Sequence, residues 1–253
     1  MNPFSLRYAE PVDFMICQWQ FDKTKPNVKY LLYRTSVMLL FVTTWILSLV
    51  DDEFNQKWAI YVTNWGYTIC TVEVTLVWAM LVAWTWSHRT NREVYKTNAL
   101  KLYPVYYLLY TLATPLAFGI TTIYWTDYWP RPLLLLDFLR HGNNSIVMLV
   151  DLWLVSHRLR YVHVVYPLLL GVVYSLFSYV YYALGGTNRE HSPCIYGRLN
   201  WAEHPYRTAL ICLGIDSFLG TLHLVVVLSS RFRRKIEGTC KLFYAGHDEL
   251  VVT

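Results

Sequence analysis

Six long apolar runs restrict this chain to folds that cross a membrane. A helix needs roughly 20 mostly apolar residues to span the hydrocarbon core of a bilayer. Inside lipid, backbone amides have no water to bond, so each spanning run must be helical. The sequence therefore predicts an all-α polytopic bundle of six transmembrane helices, at residues 30–50, 58–86, 102–125, 133–155, 161–184 and 208–228.

The composition is that of a membrane protein with little soluble mass. Hydrophobic residues make up 55% of the chain and charged residues only 15%, whereas a soluble domain carries about 25% charged residues. We expect a transmembrane domain at 30–228, between an N-terminal tail at 1–29 and a C-terminal tail at 229–253. No folded basic domain accounts for the net charge of +5, so no nucleic-acid partner is expected.

The distribution of basic residues over the loops predicts the orientation. With six spans, the tails and the second and fourth loops lie on one side of the membrane and hold 15 Lys and Arg, whereas the other three loops hold 5. Cytoplasmic loops are the ones enriched in Lys and Arg. Both termini are therefore predicted to be cytoplasmic.

Three of the predicted helices carry small or polar residues along one face. At about 100° per residue, each set falls within an arc of roughly 80°. The sets are Thr63, Gly66, Cys70 and Glu73 on the second helix, Asp137, His141, Asn144, Met148 and Asp151 on the fourth, and Cys212, Asp216, Gly220 and His223 on the sixth. We expect these three faces to meet inside the bundle.

These buried polar groups have two interpretations. Polar side chains inside a membrane are costly and are functional candidates, but they also tie helices together through hydrogen bonds of about 0.6 kcal/mol each. Thr63, His141 and Asn144 are expected in the outer half of the bundle, as candidate catalytic residues. A polar core is expected from Glu73, Asp137, Asp151, Asp216 and His223. The sequence contains no metal-site or cofactor motif, so neither group is expected.

Four motifs give the chain a resemblance that covers nearly its whole length. They are CQWQ at 17–20, YVTNWGY at 61–67, HGNNSIVMLVDLWL at 141–154 and IYGRLNWAEHP at 195–205. With the order of the helices, they resemble the rolling stone family of insect multi-pass membrane proteins. The resemblance implies a part in myoblast fusion, or more generally in cell–cell fusion or membrane organisation.

A more distant resemblance is to the androgen-induced family of transmembrane hydrolases that split fatty-acid esters. That family uses a Thr near the start of one helix and a His in an HGxH motif on a later helix. Thr63 matches the Thr by position, and His141 with Gly142 matches the opening of the motif, but Asn144 replaces the catalytic His. Asn cannot serve as a base at neutral pH. The resemblance therefore implies a hydrolase-like scaffold without activity, or hydrolysis that uses His141.

Three hypotheses of different classes follow from these observations. The first is a non-enzymatic protein of cell–cell fusion or membrane contact, at the plasma membrane or endoplasmic reticulum. The second is an intramembrane lipid-ester hydrolase with a Thr nucleophile and a His base. The third is a transporter, which the lack of an inverted repeat disfavours. The expected partners are the lipid bilayer, a lipid ligand in the bundle and a protein at the outer loops.

Overall fold

Nearly all of the described structure is helical. The computed structural model describes residues 3–51, 56–128 and 135–251, and these ranges contain no β-strand beyond one isolated bridge between Cys17 and Val155. Three short 3₁₀ helices join the α-helices. The α-helices are α1 (Val28–Asp51), α2 (Val62–Thr90), α3 (Glu93–Leu100), α4 (Tyr103–Tyr128), α5 (Leu135–His141), α6 (Asn143–Leu154), α7 (Val165–Ala183) and α8 (Pro205–Val251).

Five helical segments in the described part of the chain are long and apolar enough to cross a membrane. They are Val28–Val50, Val62–Thr90, Tyr103–Thr126, Tyr161–Ala183 and Pro205–Glu237. Each coincides with a predicted span to within a few residues at most ends. The last is longer than predicted, because the helix continues through the basic residues at 231–235.

The predicted fourth span is divided at Gly142 into α5 and α6, and its first two residues lie outside the described residues. Gly142 leaves helical geometry, with φ −122° and ψ −53°. A Cβ at this position would lie 3.0 Å from the ring of Phe138. Glycine lowers the cost of the break because it has the weakest helix propensity after proline.

The divided segment still runs between the two ends of the bundle. At one end, Gln18 donates a backbone hydrogen bond of 2.8 Å to Leu154 at the end of α6. Near the other end, Thr121 of α4 donates a 3.1 Å hydrogen bond to Asn144 at the start of α6. The first of these ends also carries the start of α1, and we call it the N-terminal end.

The N-terminal segment is packed on the bundle, although the sequence suggested a tail. A 3₁₀ helix at Pro11–Met15 buries Phe14 and Met15 almost completely. The Phe14 ring stacks on Tyr103 of α4, with ring centroids 5.3 Å apart. Full burial of one such side chain is worth about 1.5–3 kcal/mol. The segment is therefore a structural part of the N-terminal end.

Helices α2 and α4 occupy the centre of the bundle. Helix α2 packs against α1, α3 and α4, and α4 also packs against α6, α7 and α8. Apolar side chains fill the spaces between them, including Phe41 of α1, Cys70 of α2 and Ala117 of α4. Polar residues on α2 and α6 are thereby brought beside α1 and α4.

Candidate functional site

A buried ion pair joins α1 to α6 in the half of the bundle nearer the N-terminal end. Nη1 of Arg34 lies 2.9 Å from Oδ1 of Asp151, and their side chains are 0% and 1% exposed. Buried charges persist in proteins when they are paired and hydrogen-bonded. Asp151 came from the predicted polar stripe of the fourth span, whereas its partner Arg34 was not among the candidates.

Two tyrosines of α1 complete this ion pair. The Arg34 guanidinium donates from Nε and Nη2 to the Tyr30 hydroxyl, at 3.0 and 2.6 Å. The Tyr33 hydroxyl donates to Oδ1 of Asp151 at 3.2 Å. The spacing of three and four residues puts all three α1 side chains on one side of the helix. An arginine flanked by tyrosines within an apolar run is the sequence signal that would have found the pair.

Glu73 of α2 extends the ion pair into a cluster of three charged residues. Its side chain is fully buried, and neither carboxyl oxygen accepts a hydrogen bond of standard geometry from the described residues. It interacts electrostatically with Asp151 and Arg34 and lies beside the Tyr106 hydroxyl. We call Arg34, Glu73 and Asp151 the buried ionic cluster. Its position between α1, α2 and α6 makes it a tie between helices.

A second buried group lies at the N-terminal end, beside the connection between α6 and α7. His157 is 1% exposed, and neither ring nitrogen has a hydrogen-bond partner among the described residues. Its ring stacks on Phe14 at 4.6 Å and meets Tyr110 edge-on at 4.7 Å. Burial, aided by the charge of Arg233, holds the pKa of His157 well below its usual value. No motif or helical period in the sequence pointed to His157.

Arg233 of α8 binds backbone carbonyls at the N-terminal end. Its guanidinium donates to the backbone carbonyls of Leu152 and His157, and its own carbonyl accepts from Gln18. Cations are favoured at helix C-termini because the last carbonyls are unpaired and carry partial negative charge. Arg233 therefore binds the end of α6.

The three candidate catalytic residues have different neighbours. Nδ1 of His141 lies 3.0 Å from the Asp137 carbonyl, and its ring stacks on Tyr124 at 3.5 Å. Oδ1 of Asn144 accepts from the Ser145 amide at 2.8 Å, besides the bond from α4 described above. Among the described residues, no hydrogen bond links Thr63 to either His141 or Asn144.

Thr63 instead lines a cavity near the end of the bundle opposite the N-terminal end. The cavity, which we call the outer cavity, has a volume of about 680 Å³ and lies between α2, α4, α7, α8 and the loop that joins α7 to α8. That loop, residues 184–204, is called the outer loop. Its Tyr196 lies beside Thr63, without a hydrogen bond of standard geometry. Small-molecule sites in proteins have volumes of about 300–1,000 Å³.

The remaining polar-core candidates are distributed over separate places. Asp216 lines the outer cavity. His223 is buried two turns further along α8, with Nε2 3.1 Å from the Arg160 carbonyl. Asp137, in the first turn of α5, is partly exposed. The three polar faces thus meet in pairs: those of α2 and α6 at the buried ionic cluster, and those of α2 and α8 at the outer cavity, which Thr63 and Asp216 both line.

No constellation for a metal ion accompanies these sites. Within residues 3–50, 57–126 and 135–237, whose side chains the structure describes, no three or more His, Cys, Asp or Glu residues are grouped to hold one. The groups at these sites are a buried ion pair, a buried histidine and a cavity whose walls carry the hydroxyls of Thr63, Ser175 and four tyrosines and the carboxyl groups of Asp216 and Glu190.

Comparison with known proteins gives a match along most of the chain. A family model described as "Protein rolling stone" matches residues 2–248. The Protein rolling stone of Drosophila melanogaster is 29% identical over 222 residues, which cover 84% of this chain and 80% of that protein. No solved structure matches the chain.

Proposed function

This chain belongs to the rolling stone family, and on that premise we propose that it acts in cell–cell fusion, such as myoblast fusion, or in organising membranes at contact sites. It does so as a non-enzymatic membrane protein. The observation that carries the proposal is an outer loop held in one conformation, which presents a defined surface to a facing membrane or protein.

Asn188 organises the outer loop. Its side-chain oxygen accepts hydrogen bonds from the Glu190 and Ser192 amides at 3.0 and 2.9 Å. Its backbone amide donates to the Ser192 carbonyl at 2.8 Å. Asn188 is 7% exposed, whereas the charged side chains around it, Arg189 and Glu190, are exposed. An Asn side chain that binds nearby amides fixes a turn in this way.

Two further contacts fasten the outer loop to the helices. Lys57, which precedes α2, donates to the Thr187 hydroxyl at 2.8 Å and to the Asn188 carbonyl at 2.6 Å. Trp201 donates from Nε1 to the Ser178 hydroxyl of α7 at 3.1 Å. A loop fixed on a rigid scaffold is a common form of recognition surface. We infer a protein partner on this surface.

The proposed topology has six spans and cytoplasmic termini. The distribution of Lys and Arg supports it, as does the passage of α5 and α6 between the two ends of the bundle. This orientation places the outer loop outside the cell when the protein is at the plasma membrane, the location that a role in fusion requires. The cytoplasmic side then carries the N-terminal end with His157 and Arg233.

The alternative, an intramembrane ester hydrolase, has weaker support. Thr63 does line a cavity, but hydrolysis needs a base within hydrogen-bond reach of the nucleophile. The nearest match to the expected base, Asn144, bonds to α4 and to its own helix. A lipid ligand without hydrolysis remains part of the proposal, and the outer cavity is its proposed site.

A content-mixing assay tests the proposed role. Two cell populations each express the chain and one half of a split luciferase, and fusion restores luminescence. We expect mixing above that of cells without the chain. Asn188→Ala removes the hydrogen bonds that fix the outer loop and should lower mixing, whereas Asn98→Ala on exposed α3, at the opposite end, should not.

The amount of the protein at the cell surface and its topology are measured on the same cells. A membrane-impermeant maleimide should label Ala202→Cys in the outer loop and should not label Thr97→Cys in α3, both of which are exposed positions. Labelling of Thr97→Cys in intact cells would contradict the topology. Wild-type mixing with Asn188→Ala at equal surface quantity would contradict the role of the outer loop.

A further inference from the structure

The outer cavity has a carboxyl group at depth. Asp216 is the twelfth residue of α8, so it lies roughly 16 Å along the helix from the outer loop. That distance is about half of the roughly 30 Å hydrocarbon core. The walls around it include Leu116 and Ile120 of α4, Leu170 of α7 and Leu219 of α8. The carboxyl group of Asp216 therefore lies among apolar side chains of three helices.

Asp216 has no partner within the described part of the protein. The residue is only 9% exposed, and its carboxyl group makes no hydrogen bond or ion pair with the described residues. Its surroundings on α7 and α8 include Ser175 and Cys212, which also line the cavity. A buried carboxyl group without a partner costs several kcal/mol. Such a group facing an open volume is typical of a ligand site.

Gly171 of α7 creates the space that Asp216 occupies. A Cβ atom built at position 171 would overlap Oδ1 of Asp216 and lie 2.9 Å from its Cγ. Any side chain at 171 would therefore push the carboxyl group away from α7. The close approach of the two helices at a glycine holds Asp216 at the cavity wall.

The charges that line the cavity favour a cation over an anion. Asp216 and Glu190 are acidic, and Arg198 is the basic residue among the described residues of the lining. Arg198 and Glu190 belong to the outer loop, so no cation of the described lining lies on α7 or α8 with Asp216. A carboxylate ligand would face like charge at the deep end, whereas an ammonium group would pair with Asp216.

We propose that the outer cavity binds a compact apolar amine, whose ammonium group pairs with Asp216 and whose hydrocarbon body contacts the walls formed by α4, α7 and α8. The volume of about 680 Å³ suits one molecule of ordinary ligand size. This ligand class deepens the proposed ligand-binding role of the cavity and is independent of the role in fusion.

Three probes with one hydrocarbon body test the proposal. They are dehydroabietylamine, the matching alcohol dehydroabietol and the matching dehydroabietic acid, and their binding to the purified full-length chain in lipid nanodiscs is measured by equilibrium dialysis against empty nanodiscs. We expect saturable binding of the amine, with at least tenfold lower affinity for the alcohol and the acid. Tenfold corresponds to about 1.4 kcal/mol.

Two variants locate the amine. Asp216→Asn keeps the shape of the side chain and removes its charge, so affinity for the amine should fall at least tenfold. Glu93→Gln, at an exposed carboxylate on α3, is the matched control and should bind as wild type. Equal binding of the three probes, or amine binding that Asp216→Asn leaves unchanged, would overturn the amine proposal while leaving a lipid site intact. Stronger binding of the acid would also overturn it.

A second measurement uses the wild-type chain, so it tests the proposal even if Asp216→Asn misfolds. Dicyclohexylcarbodiimide modifies carboxyl groups in apolar surroundings, and peptide mass spectrometry separates Asp216 from Glu73 and Asp151. We expect labelling of Asp216 that saturating amine suppresses and that the alcohol does not. Absence of labelling without ligand, or labelling that the amine leaves unchanged, would show that Asp216 does not face the ligand.

Discussion

The buried ionic cluster gives the sharpest test of how this bundle is held together. Asp151→Asn keeps the size of the side chain and an oxygen that accepts from Tyr33, but it removes the charge that faces Arg34 across 2.9 Å. The Arg34 guanidinium then remains buried, with its hydrogen bonds to Tyr30 and with the carboxyl group of Glu73 in electrostatic reach. The substitution thus isolates the charge of Asp151.

The expected magnitude follows from the burial of both partners. Removing one partner of a buried ion pair costs about 3–5 kcal/mol, because the other charge is left uncompensated. Glu73 supplies part of the missing negative charge, which puts the expected loss near about 3 kcal/mol. Arg34→Met leaves two buried carboxyl groups that can take up protons, whereas arginine cannot lose its charge, so its loss should not exceed that of Asp151→Asn.

Unfolding by sodium dodecyl sulfate in mixed micelles, followed by circular dichroism, measures these losses. The double variant Arg34→Met/Asp151→Asn should lose less than the sum of the two single variants, with a coupling of about 0.5–3 kcal/mol. Glu93→Gln breaks an exposed pair with Lys96, 4.0 Å apart, and should change stability little.

Two results would refute this reasoning. The first is a loss below about 1 kcal/mol for Asp151→Asn, which is the size of an exposed pair. The second is strict additivity in the double variant, which would mean that the two residues stabilise the fold independently.

Three further predictions concern other parts of the bundle. The pKa of His157 is lowered by burial, so below about pH 6.5 the unfolded chain binds a proton that the folded chain does not, and stability should fall by up to about 1.4 kcal/mol per pH unit. Thermal unfolding between pH 7.5 and 5.5 measures this loss, and His157→Phe should reduce it. Phe14→Ala removes a ring worth about 3 kcal/mol or more, so it should release the N-terminal segment and raise the rate of maleimide labelling of Cys17 at least tenfold. An unchanged rate would contradict the packing. Asn144→His should give no esterase activity above that of Thr63→Ala, measured with a p-nitrophenyl ester, because position 144 faces α4 and not Thr63.

The sequence was sufficient to predict helices and to identify several inward-facing polar residues. Lipid leaves the backbone no other partner than itself, so a long apolar run has one available secondary structure. Five of the six predicted spans are long apolar helices. The 3.6-residue period likewise placed Glu73 and Asp151 on buried faces.

Other features depend on contacts between residues far apart in the sequence. The period of α1 does not reveal that Arg34 pairs with a residue 117 positions later, because each helix can rotate and shift against its neighbours. The burial of Phe14 depends on aromatic rings of α4 and on His157. A polar N-terminal stretch is read as a tail when those partners are unknown.

The sequence by itself determined that this chain forms membrane-spanning helices, and which of their faces are polar, because both follow from local spacing and from the absence of water in lipid. Only the tertiary structure decided which polar faces meet. It placed α2 and α6 around Arg34, bonded Asn144 to α4 and left Asp216 facing a cavity. Those outcomes depend on helix rotation, depth and the order of packing, which no local pattern encodes.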